Sequence, residues 1–341
     1  MGEYVGLDVS MEETSVCVMT STGEIIWEGK VATEPTALAS VVRRRAPTAE
    51  KVGLETGPLS TWLWHALRDV GVPVVCLDAR HAQAALSMRI NKTDRNDAAG
   101  LAQLVRMGWY REVKVKRLAA HADGALLASR ALLVRQRCEL ENQIRGLLKN
   151  FGLRVRATKG RAFEQSVSDL SARQPVVRQV AMALLAVWSS LRLQIAALSR
   201  QVERQAMNDP VCRRLMTMGG VGRLTALAYR TAIDDPARFR HSASVGAYLG
   251  LTPRRYASGE IDRMGRISRC GDALVRSYLY EAANVMLTRT RGSSPLKSWG
   301  MKLARRAGFK KARVALARKM AVVLHRMWRD STDFGAPNAT A

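Results

Sequence analysis

Four acidic residues border apolar or helix-forming runs in the first third of the chain, and their types suit a metal site. Asp8 ends the apolar run of residues 4–7, and Glu55 ends a second run, residues 51–54. Asp94 and Asp97 lie three residues apart. Hard divalent cations such as Mg²⁺ or Mn²⁺ prefer carboxylate oxygens, and bound metal can clamp the attacking and leaving oxygens of a phosphodiester. The four residues therefore predict a metal site for phosphodiester chemistry.

A second candidate reactive group is Ser258, which precedes Gly259 in a loop rich in arginine. A serine hydroxyl is a poor nucleophile unless its proton is removed or the attacked phosphate is polarised. Arginine and metal ions do the polarising. Ser258 is thus a candidate nucleophile, with Ser268 as a rival and a plain turn as the alternative without chemistry. The arginines predicted to contact nucleic acid are Arg254, Arg255, Arg263, Arg266 and Arg269.

The charge of the chain indicates a nucleic-acid partner. The 341 residues carry a formal net charge of +25. Residues 1–60 hold nine acidic and five basic residues, whereas residues 291–329 hold twelve basic residues and no acidic one. Phosphate backbone is the expected partner of such a segment, and the binding should weaken steeply with salt; an acidic membrane surface is the alternative. Phosphate contacts are predicted for Lys310, Lys311 and Arg313.

Composition narrows the class of protein. A hydrophobic content of 47% describes a folded chain. The five cysteines are dispersed without a Cys-x-x-Cys pair, which argues against a disulfide framework and a zinc site and favours a reducing compartment. No signal peptide and no uncharged apolar stretch of about 18 residues is evident, so we expect a cytoplasmic protein without membrane spans.

The elements around the acidic residues follow the order of an RNase H-like fold. Periodicity predicts strands over 4–8, 15–20 and 24–31, a helix over 36–45, a strand over 51–55, a helix over 59–70 and a strand over 73–77. In that fold the first and fourth strands are neighbours, so Asp8 and Glu55 should meet at adjacent strand ends. A helix starting near Asp94 places Asp94 and Asp97 on one face. Alternatively, Asp94 is only a helix N-cap and Asp97 only favours the helix dipole.

Residues 116–208 carry apolar residues at seven-residue spacing. The two series are Leu126, Leu133, Leu140 and Leu147, then Val177, Leu184, Leu191 and Leu198. Two heptad-spaced segments joined by a loop, residues 152–175, indicate a helical hairpin or coiled coil. The pattern leaves open whether the packing is within one chain or between chains. We interpret this region as an oligomerisation arm.

The remainder reads as a basic, mostly helical domain. Residues 215–226 match a helix-hairpin-helix, in which Gly220 and Gly222 permit a tight turn and amides at the next helix start hold a phosphate. The predicted fold class is thus α/β plus all-α. It comprises a metal-binding domain over residues 1–115, the coiled-coil arm over 116–208, a C-terminal domain over 209–330 and a flexible tail over 331–341.

Together these motifs resemble the DEDD transposases of bacterial insertion sequences, the insertion-sequence one-ten family. The matching segments are residues 6–10, 53–57, 92–98, 250–253, 258–259 and 271–272. The resemblance implies a RuvC-like N-terminal domain whose metal ligands are Asp8, Glu55, Asp94 and Asp97. It also implies a C-terminal transposase domain in which Ser258 forms a phosphoserine link to DNA.

By the same resemblance, the partners are donor DNA, target DNA and a structured non-coding guide RNA, the bridge RNA, that pairs with both. Strand exchange would pass through a Holliday junction in a homo-oligomer, a dimer or tetramer, located in the bacterial cytoplasm near the nucleoid. Two other hypotheses stay open. One is a structure-specific junction nuclease without a covalent link, and the other is an architectural nucleic-acid-binding protein with structural acids.

Overall fold

The computed structural model describes residues 2–87, 91–156 and 160–335. The chain divides into two compact units, Met1–Leu118 and Ala119–Ala341, called here the N-terminal and C-terminal units. The finer division into a domain over 1–115, an arm over 116–208 and a domain over 209–330 stays a prediction, and most of the predicted tail lies outside the described residues.

The N-terminal unit is a mixed α/β structure. Its elements are β1 (Glu3–Val9), β2 (Glu13–Thr20), β3 (Ile25–Ala32), α1 (Pro35–Arg45), β4 (Ala49–Glu55), α2 (Ser60–Asp69), β5 (Val74–Leu77), α3 (Ala79–Leu86) and α4 (Asp94–Met107). The sheet has the order β3-β2-β1-β4-β5. β1 is antiparallel to β2 and parallel to β4. The predicted strands and helices are therefore present, and β1 lies beside β4 as expected.

Helices cover both faces of this sheet because its strands alternate side chains between two apolar layers. Val5 and Leu7 of β1 pack in one buried cluster with Leu38 of α1 and Leu63 of α2. On the other face, residues of β2 pack against Ala98 and neighbouring alanines of α4. The small side chains let α4 lie close to the sheet.

Gly6 of β1 is the point of closest approach, since a Cβ there would overlap the carbonyl oxygen of Ala98 and the backbone of Ala102. We expect Gly6→Ala to lower the free energy of unfolding by about 2 kcal/mol, because the added methyl group overpacks this contact. Urea unfolding measures the change. Gly57→Ala is the matched control, with no atom within 4 Å of its added methyl group. Equal stability of the two variants would contradict the close packing.

The C-terminal unit is mostly helical. Its elements are α5 (Leu118–Lys149), α6 (Gly160–Ser171), α7 (Pro175–Asn208), α8 (Pro210–Leu215), α9 (Arg223–Ile233), α10 (Ser244–Tyr248), β6 (Pro253–Ser258), β7 (Ile261–Ile267), α11 (Ala273–Thr288), α12 (Pro295–Ala307) and α13 (Phe309–Arg329). Leu227, Leu279 and Leu316 belong to its main core. The buried Tyr229 hydroxyl donates to the Ala321 carbonyl at 2.6 Å. The expectation that Ser258 lies in a loop is wrong, because β6 and β7 form an antiparallel ribbon.

Helices α5 and α7 form an antiparallel hairpin within one chain. The indole of Trp188 donates to Glu141 at 2.9 Å, and Arg130 donates to Ser199 at 2.8 Å. The expectation of a loop over residues 152–175 is wrong in part. Half of that segment folds as α6, in which Phe163 and Val167, four residues apart, pack against Trp188 and its neighbours.

The buried seam of α7 differs from the predicted heptad. Of the predicted residues on α7, Val177 is buried and the three leucines are half-buried. The residues that fill the seam are Ala181, Leu185, Trp188, Ile195 and Val202. The predicted leucines flank this seam, beside the exposed Val180 and Val187. Among the described helices, only α7 is long and apolar enough to cross a membrane, a test that core helices of soluble proteins also pass.

Candidate metal centre and nucleophile

Asp8 and Glu55 reach the same side of the sheet because each follows, two residues later, a glycine that faces α4. Gly6 of β1 pairs with Gly53 of β4. A Cβ at Gly53 would lie 2.5 Å from the side chain of Val105 on α4. Side chains alternate along a strand, so both carboxylates share the α4 face.

Helix α4 brings a third carboxylate to this face. Thr93 is its N-cap, and the Thr93 hydroxyl accepts from the backbone N–H of Asn96 at 3.2 Å. Asp94 is thus the first helical residue, and the alternative that Asp94 is the cap is wrong. Asp97 lies in the same first turn, beside the Ala98 that contacts Gly6.

Asp8, Glu55 and Asp97 line one cavity of about 420 Å³. Burial raises the pKa of Asp8, and the charges of Asp97 and Asp94 raise it further. Burial also raises the pKa of Glu55, with Asp8 and Asp97 adding to the effect. The carboxylates therefore repel one another in a partly desolvated place, which favours a cation between them.

Two lysines approach the acidic cavity. Lys92 lines it, and the charge of Lys92 partly offsets the raised pKa of Asp8 and of Glu55. Lys30 of β3 lies 3.2 Å from the Asp94 carboxylate, and both of these side chains are more than half exposed. Asp94 is thus the one predicted ligand that does not line the cavity. Sequence reasoning did not select Lys92, although it stands two residues before Asp94.

The donor set fits a hard divalent cation, since all its oxygens are carboxylate oxygens. Within residues 2–87, 91–156 and 160–335, no group of three or more His, Cys, Asp or Glu side chains is gathered closely enough to hold a metal ion. The cavity is acidic but open. Binding a cation there requires the carboxylates to draw together.

Ser258 is the last residue of β6 and stands at the tip of the exposed ribbon. It pairs with Ile261 across a turn in which Gly259 has φ 55°. Tyr256, 65% exposed, and its cross-strand partner Arg263 share the ribbon face of Ser258, because side chains alternate. In the described parts of the chain, no hydrogen bond of the Ser258 hydroxyl is found. The hydroxyl is open to a substrate.

The other predicted nucleic-acid contacts are spread over the C-terminal unit. Arg255 is paired with Asp262 through two hydrogen bonds of 2.8 and 2.9 Å. Arg254 donates to the Ser268 carbonyl at 3.2 Å. Four others line one groove: Arg266, Arg269, Lys310 and Lys311. Arg313 does not line it, since its guanidinium donates to the Tyr280 hydroxyl at 3.2 Å and lies over that ring.

The glycine-rich turn of residues 219–222 joins α8 to α9. Gly220 has φ +89°, and a Cβ there would overlap the Ala282 carbonyl oxygen of α11, so this glycine is required by packing. Gly222 precedes α9 and has open space around it. The turn therefore combines a packed side with an accessible start of α9.

Two family models match successive parts of the chain. The model of the DEDD transposases of the IS110 type matches residues 5–152. A model described as the transposase IS116/IS110/IS902 family matches residues 212–298. The class defined by these matches is that of DNA transposases.

Individual relatives agree with this class. The chain is 28% identical over 333 residues to the transposase for insertion sequence element IS1111A of Coxiella burnetii, covering 94% of this chain and 88% of that protein. It is 30% identical over 241 residues to a probable family 20 transposase of Pseudomonas aeruginosa, covering 69% and 71%. The chain belongs to the IS110 family of insertion-sequence transposases, so the resemblance inferred from the motifs is confirmed.

Proposed function

We propose that this transposase is a recombinase in which a divalent cation and the Ser258 hydroxyl act on the same phosphodiester. The observation that carries the proposal is the meeting of Asp8, Glu55 and Asp97 at one cavity. The sheet order, with three antiparallel strands followed by two parallel ones, supports an RNase H-like, RuvC-like N-terminal domain.

Asp8, Glu55 and Asp97 would hold the cation, Mg²⁺ or Mn²⁺, with Asp94 joining them from its ion pair with Lys30. When bound, the cation polarises the scissile phosphate and stabilises the leaving oxygen. Lys92 contributes a fixed positive charge at the same cavity. It helps to receive a phosphate that three carboxylates would otherwise repel.

Ser258 is the proposed nucleophile. Its oxygen forms a bond to phosphorus, the bond from phosphorus to the leaving deoxyribose oxygen breaks, and the serine proton is released. The number of phosphoester bonds is unchanged, so the reverse attack by a DNA hydroxyl rejoins strands without ATP. Ser268 is less suited, since its hydroxyl lies 3.4 Å from the backbone N–H of Cys270, which donates to it in a local turn.

Donor DNA, target DNA and a guide RNA are the proposed partners. The net charge of +25 supports binding of more than one nucleic-acid strand. The helix-hairpin-helix at residues 215–226, through the accessible start of α9 after Gly222, is proposed to contact phosphates. The proposed location is the cytoplasm of a bacterium, near its nucleoid.

The test of the proposed function is a cleavage assay with the full chain, DNA carrying the ends of the element, and the RNA transcribed from the sequence flanking the gene. Products are resolved on denaturing gels with Mg²⁺ or with EDTA, before and after protease digestion. A metal-dependent, protease-sensitive slow band supports the recombinase. Free ends without that band would establish the junction nuclease, and binding without cleavage would establish the architectural protein.

The α5–α7 hairpin is proposed to join subunits into a dimer or tetramer. Its α7 carries a second apolar stripe outside the buried seam, in which Val180 and Val187, 44% and 52% exposed, alternate with the half-buried Leu184 and Leu191. The stripe has alternating three- and four-residue spacing, which suits a coiled-coil contact with another copy.

We expect Val187→Glu to lower the oligomeric state, because a charge in this stripe opposes burial against a second helix. Sedimentation velocity measures the state. Ala186→Glu adds the same charge at an exposed position outside the stripe and serves as the control. If both variants sediment like the wild-type protein, the hairpin packs only within its own chain.

A further inference from the structure

A long groove crosses the C-terminal unit, with a volume of about 1450 Å³. One wall is the base of the β6–β7 ribbon, including Met264 and Ile267, and another is α12, including Leu296 and Trp299. The floor is α13. The groove therefore lies at the base of the ribbon whose tip carries Ser258.

The floor is apolar but incompletely covered. Val314 and Ala315 are followed two turns later by Val322 and Val323, and all four are half-buried and line the groove. The opposite side of α13 is packed in the core through Leu316 and its neighbours. The helix thus buries one face in the protein and presents a second apolar face to the groove.

The rim is cationic. Seven Lys or Arg residues are among the described residues that line the groove, and no acidic residue is: Arg266, Arg269, Lys310, Lys311, Arg318, Lys319 and Arg326. The ammonium group of Lys319 lies 4.3 Å from the ring centroid of Trp299, so charge and aromatic surface adjoin. The fitting ligand is a polyanion that also carries flat apolar groups.

We infer that the groove binds an unpaired strand of DNA or RNA, with its phosphates at the rim and its bases on the apolar floor. In a duplex the bases are stacked and paired, so they cannot contact the apolar floor. Sites for single strands combine a basic groove with apolar or aromatic side chains on which the bases stack. This inference rests on the proposed function, in which strand exchange exposes unpaired strands. It further names an unpaired strand as the ligand of the groove.

The first measurement compares labelled 12-residue oligonucleotides by fluorescence anisotropy with the full chain. One is oligothymidine, one is an abasic strand with the same phosphates, and one is a 12-base-pair duplex. Oligothymidine is expected to bind about tenfold more tightly than the abasic strand, a difference that base stacking can supply. Equal affinities of these two strands would overturn the inference.

The second measurement places a charge on the floor. Val322→Glu should remove most of the preference for oligothymidine over the abasic strand. Ser298→Glu adds the same charge on an exposed part of α12 that does not line the groove, and should leave that preference intact. Circular dichroism checks that both variants fold. If Val322→Glu does not fold, Val314→Glu replaces it in the test. Equal preferences in the floor and control variants would exclude the groove as the binding place.

Replacing Lys310 and Lys311 together by Ala should reduce the slope of log affinity for oligothymidine against log salt by about 1.4, because two phosphate contacts to a single strand are lost. An unchanged slope would mean that these lysines do not contact the strand.

If Val322→Glu changed the sedimentation coefficient and not the strand preference, the groove would be an interface between copies, and the inference would be wrong. Ser258→Ala should retain the oligothymidine preference, so failure of the nucleophile proposal is distinguishable from failure of this one.

Discussion

Ser258→Ala should abolish the covalent protein–DNA product and lower strand joining by roughly 10⁴-fold or more, the scale on which loss of a nucleophile acts. The expectation follows from the open position of Ser258 at the ribbon tip, with Arg263 and Tyr256 on the same face. A DNA substrate with a nick beside the scissile phosphate traps the adduct, because the short leaving strand diffuses away. Denaturing gels detect it, and mass spectrometry of the digested adduct identifies the residue.

Ser268→Ala is the matched control, since it removes a hydroxyl that lies in a local turn and should leave the adduct in place. An adduct in the Ser258→Ala protein, or one mapped to Ser268 or Tyr256, would show that another residue is the nucleophile. Metal-dependent cutting by wild-type protein without any adduct would favour the junction nuclease.

Asp8→Asn and Asp97→Asn should each reduce cleavage to background while DNA and RNA binding stay near wild type. Both carboxylates face the acidic cavity, and apart from Lys92 the nucleic-acid contacts proposed above lie in the C-terminal unit. Cleavage with Mg²⁺ or Mn²⁺ and filter binding measure the two effects separately. Asp69→Asn, at the exposed end of α2, is the matched control. Full cleavage by a folded Asp8→Asn protein would remove the metal-site proposal.

Thermal melting gives a readout of the same site that does not depend on activity. Burial and carboxylate repulsion raise the pKa of Asp8. A carboxyl with a raised pKa disfavours the folded state increasingly as the pH rises through that pKa, so at neutral pH its charge opposes folding. In metal-free buffer Asp8→Asn should therefore melt higher than wild type. Mg²⁺ should raise the melting temperature of wild type and not of the variant.

Much of the N-terminal unit was predictable because its signals are local. Strand periodicity located β1 and β4, and the position of each acid at a strand end gave its place at one edge of the sheet. The pairing of Gly6 with Gly53 then explains why the side chains of Asp8 and Glu55 share the α4 face. Local signals did not predict that Asp94 lies apart from the other three carboxylates. Its ion pair with Lys30 depends on where β3 lies.

The heptad spacing on α7 correctly predicted a helix, but it did not predict which side of that helix is buried. Leucines every seven residues identify a helical stripe, and they do not tell which of two adjacent stripes faces a partner. Within the chain, Trp188 sets the choice by reaching Glu141 and packing against Phe163 of α6. The leucine stripe is left at the edge of that contact, and the proposed contact with another copy uses it.

By itself, the sequence determined the family, the acidic residues of the candidate site and the basic character of the C-terminal half, because residue types and their spacing carry these properties. Tertiary structure alone decided that Ser258 stands at the tip of a ribbon and that a groove exists. The groove gathers Met264, Trp299 and Val322 from three separate elements. Contacts between residues so far apart in the chain depend on how whole elements pack, and local periodicity does not predict that packing.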